Sequence, residues 1–205
     1  MSYDGHHEDR EKVMGAMGGK RGLIDSGVPS LVFLIFFNFS KSLNTSVIAA
    51  LIVSAIFTIA RLVRRETLQH ALSGLFGIAI CALFSRHSGQ AKDFYLPGLL
   101  INVGYALLYT VTNLVGWPVL GVILGPIMGE DFRWRQNPAR KAAYQRAGWL
   151  WVGMFASRLI VQYPLYKANQ LNWLGTARLA MGYPLFFLTA WWSWVILRKV
   201  PTVKR

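Results

Sequence analysis

The residues with the clearest chemical potential are two arginines, Arg158 and Arg178, each set in a long apolar run. They open similar octads: Arg158-Leu159-Ile160-Val161-Gln162-Tyr163-Pro164-Leu165 and Arg178-Leu179-Ala180-Met181-Gly182-Tyr183-Pro184-Leu185 agree at Arg, Leu, Tyr, Pro and Leu. A guanidinium binds phosphate or carboxylate in a planar, bidentate fashion and stays charged at every physiological pH. Inside a bilayer such a charge is costly, so it faces a bundle interior, a wet cavity or a partner. Two readings stand: a site for an anionic group such as a lipid phosphate, or an ion pair with Asp93, the nearest acid on the same side.

Other polar residues offer weaker chemistry. Asn102, Tyr105 and Tyr109 share one helical stripe at spacings of three and four, which suits either polar glue between helices or a substrate path. The segment 130–146, read as a basic cytoplasmic loop, mixes Phe132, Trp134 and Tyr144 with Arg133, Arg135, Arg140, Lys141 and Arg146. Such a segment is expected to lie in the headgroup layer against anionic inner-leaflet lipid, with about 1 kcal/mol of attraction per basic residue; protein docking is the competing reading. Gly121, Gly125 and Gly129 recur every four residues, a face that lets another backbone come close. Asp25, before Pro29, reads as a helix-start or interface residue, and Cys81 as a small buried hydrophobe.

Enzyme signatures are missing. The Gly15-to-Arg21 stretch resembles a phosphate loop but has Met14 where Gly is needed and Arg21 where Ser or Thr is needed. There is no HExxH, no paired-carboxylate metal motif and no G-x-S-x-G. His6, His7, His70 and His87 fall in loops or at span ends, and no Asp or Glu lies within a span, which weakens proton-coupled transport. The expectation is therefore a protein without catalytic residues, metal or cofactor.

The elements that must hold these residues follow from composition. The chain has 205 residues, 54% hydrophobic and 15% charged, where a soluble domain carries about a quarter charged. Six stretches approach the roughly 20 residues that cross a bilayer: Gly27 to Leu43, Thr45 to Leu62, Leu68 to Phe84, Leu96 to Val115, Ala147 to Tyr166 and Trp173 to Leu197. Between a polar tail (1–22) and a basic tail (200–205), residues 23–199 thus read as a membrane domain. Val119 to Met128, after the breaker Pro118, is too short and reads as interfacial or re-entrant. The predicted class is an all-α, polytopic bundle of six transmembrane helices plus this short helix.

A formal net charge of +13 suggests an acidic partner such as nucleic acid, but the basic residues cluster at the ends of apolar blocks. With both termini cytoplasmic, sixteen of the 22 basic residues lie inside and four outside, leaving Arg158 and Arg178 within spans. A seventh span would reverse that bias, against the positive-inside rule. Nucleic acid is excluded as a partner, and no cleaved export signal is expected from the polar first 22 residues. In this topology both arginines lie in the outer half of the bilayer, Arg158 about 16 Å from its inner end and Arg178 about 8 Å from its outer end.

Asp25 with Pro29, the Arg61-Leu62-Val63-Arg64-Arg65 turn, Gly74-Leu75-Phe76-Gly77, Lys92-Asp93-Phe94 and Trp117-Pro118-Val119-Leu120 together look like a known pattern. The chain beyond residue 15 resembles an uncharacterised family of integral membrane proteins typical of actinobacteria, domain of unknown function 3159. More distantly, its order of elements is similar to intracellular septation protein A, a bacterial inner-membrane protein linked to envelope upkeep and division. That resemblance implies a non-enzymatic protein of the cell envelope acting through membrane lipids and envelope or division proteins. The residues themselves keep open a carrier or binder of an anionic lipid or solute at Arg158 and Arg178.

Overall fold

A computed structural model describes residues 19–63 and 68–202, apart from the side chains of 19–27, 61 and 68–74. The first 18 residues, with most of the phosphate-loop-like stretch, lie outside that range, as do Arg64, Arg65, the last three residues and the side chains of Asp25 and His70. Every regular element among the described residues is helical, and the contacts divide them into two units, up to Pro97 and from Gly98.

The first unit holds α1 (Gly19–Ser40), α2 (Leu43–Val63), α3 (Leu68–Ser88) and a 3₁₀ turn, Ala91–Tyr95. Lys41 takes a left-handed φ of 52°, which stops α1. The Ser42 hydroxyl accepts from the Thr45 amide at 3.4 Å and starts α2. Small residues on α1 and α2, Ser30, Ser46 and Ala50, are buried and let helices close together. Ser46 and Thr58 donate back to carbonyls four residues earlier, at 2.7 and 2.9 Å, so neither hydroxyl is stranded. Phe33 stacks on Phe94 at 3.9 Å, and Cys81 lies buried nearby in sequence to the core residues Ile78 and Ala82.

The second unit takes most of α4 (Leu96–Leu114), then α5 (Val119–Ile127), a 3₁₀ turn Arg133–Gln136, α6 (Pro138–Lys167), α7 (Leu171–Ala180) and α8 (Tyr183–Arg198). Gly116 at φ 77° and Pro118 separate α4 from α5. Asn137 caps α6, its side-chain oxygen accepting from the Ala139 and Arg140 amides at 3.0 and 3.2 Å, and Pro138 fits the first helical position. At 30 residues α6 is about 45 Å long.

Among the described residues, three stretches are long and apolar enough to cross a membrane: Leu43–Ala60, Ala91–Leu114 and Leu171–Arg198. They mark a membrane protein, and Val28–Ser40 and Leu75–Ser88 are shorter apolar helices. Many large apolar side chains of these helices face outward, among them Ile52, Phe76, Leu107 and Trp191. Two local expectations change. Segment 130–146 is not an open loop: it forms the 3₁₀ turn and the first turns of α6, because Asn137-Pro138 starts a helix there. The apolar stretch from Trp173 is broken between Ala180 and Tyr183. Gly182 supplies low helix propensity and Pro184 an absent N–H, so a new helix starts there. In the matching octad Gln162 replaces that glycine, and α6 runs straight through Pro164.

Candidate functional site

Arg158 projects from α6 to the start of α8, where its Nη2 donates to the Gly182 carbonyl at 2.6 Å. Its Nε is buried with no hydrogen-bond partner. Arg178, at the end of α7, stands close enough for the two guanidinium charges to act on each other. The Arg178 guanidinium lies on the backbone of Gly98, where a Cβ would come within 2.5 Å of Nη1. Gly182 is equally confined, since a Cβ there would be 3.0 Å from the Arg178 carbonyl. The break between α7 and α8 therefore brings the Arg158 guanidinium to the start of α8, a helix end with no side-chain cap and no acidic residue in its first turn, while the Arg178 guanidinium lies over Gly98. Such an end carries partial positive charge and favours anions. Asp93 belongs to the first unit, buried in its 3₁₀ turn.

The register of α6 against α8 is set elsewhere. Arg140 Nη1 donates to the Leu197 and Val200 carbonyls at 2.7 and 2.8 Å, the Trp151 indole donates to Ser193 Oγ at 3.0 Å, and Arg158 reaches Gly182. Partners climb α6 as they descend α8, so the helices are antiparallel. Arg140 is held in turn by Glu130: Nε donates to both carboxylate oxygens at 3.0 Å, and Nη2 makes a further close contact with Oε1. Both side chains are essentially inaccessible, at 1% and 0% exposure. Burial disfavours the charged guanidinium, but the Glu130 hydrogen bond and the surrounding charge outweigh it and raise the Arg140 pKa above its ordinary value. The Tyr144 phenol closes the cluster against Glu130 at 3.4 Å, and burial pushes its pKa up to about 12.

The basic segment thus divides. Arg133 and Arg135 are exposed, with Arg135 stacked over the Trp117 ring at 3.7 Å, and Lys141 is partly exposed. Trp134 and Arg140 are interior residues rather than headgroup anchors. The Trp134 indole fills the face opened by Gly121 and Gly125, so that glycine stripe receives a ring, and Gly129 instead ends the helix at φ 72°. The polar stripe of α4 packs on α6: Tyr105 stacks on Phe155 at 5.2 Å and Tyr109 on Trp151 at 5.8 Å. Asn102 donates within its own helix, to the Gly98 carbonyl at 2.8 Å. A polar tie between α4 and α6 comes from Asn113 and Gln145: Asn113 Nδ2 donates to the Gln145 backbone carbonyl at 3.1 Å and Gln145 Nε2 to the Asn113 backbone carbonyl at 3.0 Å.

Glu130, Gly182, Gly98 and Gln145 did not stand out in the sequence, whereas Asn113 is one of the polar residues of the fourth span that suit glue between helices. Gly182-Tyr183-Pro184 carried a usable signal, a helix break beside an intramembrane arginine. Glu130 carried none, because nothing in its spacing from Arg140 indicates that the chain folds back between them.

Against known families, the profile described as Protein of unknown function (DUF3159) matches residues 17–204. The chain belongs to the DUF3159 family. No curated protein and no solved structure matches this DUF3159 chain. The site in the DUF3159 protein therefore has to be read from its own geometry.

Proposed function

We propose that this DUF3159 protein is a non-enzymatic, multi-pass protein of the bacterial inner membrane that binds an anionic group between Arg158 and Arg178. The reading assigns it six spans, both termini in the cytoplasm and an actinobacterial setting. The observation that carries it is the Arg158 guanidinium held at the uncapped start of α8 with a buried Nε lacking a partner, while the Arg178 charge acts on it from the end of α7. A phosphate or carboxylate beside the buried Arg158 Nε accepts planar, paired hydrogen bonds from a guanidinium. The resemblance to intracellular septation protein A read from the sequence favours a role in envelope maintenance or division, through lipids and protein partners. Exposed Arg133 and Arg135 beside Trp117 and Phe132 suit contact with anionic inner-leaflet lipid.

Native mass spectrometry of the detergent-purified full chain and of Arg158→Gln and Arg178→Gln tests the site. The wild type is expected to retain an anionic adduct that both variants lose. Equal retention in all three overturns the reading.

A further inference from the structure

Below the Arg158–Gly182 contact, α6 and α8 leave a groove of about 300 Å³ open along their sides. Its walls come in three steps: Ser157 with Leu185, Gly153 with Thr189, and Trp149 with Trp192. These steps follow the antiparallel register already fixed at both ends, so the groove begins one turn or less from the arginine and descends about 14 Å to Trp149. Its two hydroxyls are turned away from any occupant: Ser157 Oγ donates to the Met154 carbonyl and Thr189 Oγ1 to the Leu185 carbonyl, both at 2.8 Å. What remains is an apolar channel with positive charge at one end.

We propose that the groove seats one acyl chain of an anionic phospholipid whose phosphate lies between Arg158 and Arg178. This rests on the anion site proposed above and names its ligand as a lipid rather than a soluble anion. The charge complementarity is directional. A phosphate at the arginines leaves its hydrocarbon pointing down the helices into the groove, whereas a small hydrophilic anion gains nothing from fourteen ångströms of apolar wall. Gly153 widens the middle step. A Cβ built there meets nothing within 4 Å, so the position is open to a hydrocarbon chain and also to a larger side chain.

That opening supplies the test. In Gly153→Leu the new Cβ meets nothing within 4 Å and the rest of the side chain extends into the groove, and leucine is the better helix former, so the fold is expected to be retained. Titrations of the full chain in detergent compare long-chain phosphatidylglycerol with glycerol 3-phosphate, for the wild type, Gly153→Ala, Gly153→Leu and Arg158→Gln. Burial of only two methylenes is worth about tenfold, so the wild type and Gly153→Ala are expected to prefer the lipid by at least that factor. Gly153→Leu should lose the preference and still bind glycerol 3-phosphate as the wild type does. If Gly153→Leu keeps the full preference, the groove assignment is overturned and the arginine site stands. If Arg158→Gln binds both ligands as the wild type does, the anion site is overturned and this inference with it.

Discussion

Removing either member of the buried Glu130–Arg140 pair tests how the second unit holds its helices in register. In Glu130→Gln the carboxylate charge is lost while Arg140 keeps its bonds to Leu197 and Val200, so the cost sits near the lower end of the roughly 3–5 kcal/mol typical of breaking a buried pair. Arg140→Met is more severe, because Glu130 stays buried without its cation and the Val200 carbonyl loses its donor, adding about 1–3 kcal/mol. The Leu197 carbonyl is spared, since it also accepts from the Val200 amide at 3.3 Å. The double variant leaves no uncompensated charge and is expected to cost about 2–3 kcal/mol less than the sum of the singles. For a chain of this size 1 kcal/mol corresponds to about 2–4 °C in melting temperature, so Glu130→Gln should melt about 6–12 °C lower and Arg140→Met lower still. Thermal melting in detergent, followed by the monodisperse fraction, reads all four proteins. An Arg140→Met protein melting within about 2 °C of the wild type, or single effects that add in full, refutes the clamp.

Three further outcomes follow from particular contacts. Burial pushes the Tyr144 phenol from 10.0 up to about 12, so its contribution is fully present below about pH 10 and is lost as pH rises towards 12; stability melts at pH 9 and 11 should fall more steeply for the wild type than for Tyr144→Phe, by about 1–1.5 kcal/mol. Gly121→Val drives a branched side chain into the buried Trp134 ring, where a single Cβ already comes within 2.8 Å, and should cost about 1–3 kcal/mol in the same melts. Gly98→Val displaces the Arg178 guanidinium and should weaken anion binding by about tenfold, the worth of one charge-assisted hydrogen bond, with phosphatidylglycerol titration as the readout.

Long apolar blocks made the helical, membrane-embedded character of the chain legible, because bilayer thickness imposes a length that few other constraints imitate. The two arginines were legible for the same reason, since charge inside such blocks is expensive. The sequence could not tell how the chain folds back on itself. Arg140 belonged by composition to a row of basic interface residues, yet Asn137-Pro138 begins a helix that turns it inward onto Glu130. Trp134 suited a headgroup layer equally well on type alone, until the Gly121 and Gly125 face offered it a slot. The two octads agree at five positions, but a glycine where the first has glutamine splits the second copy and creates the helix end that Arg158 meets.

The most direct test of the central claim is the affinity of the purified protein for phosphatidylglycerol relative to phosphatidylcholine in matched nanodiscs or micelles, measured for the wild type, Arg158→Gln, Arg178→Gln and the double variant. An anion shared by both guanidiniums predicts a wild-type preference for the anionic lipid, a loss of about tenfold or more in each single variant, and a double variant little worse than either. Equal affinity for the two lipids in the wild type, or a preference that survives the double substitution, contradicts it.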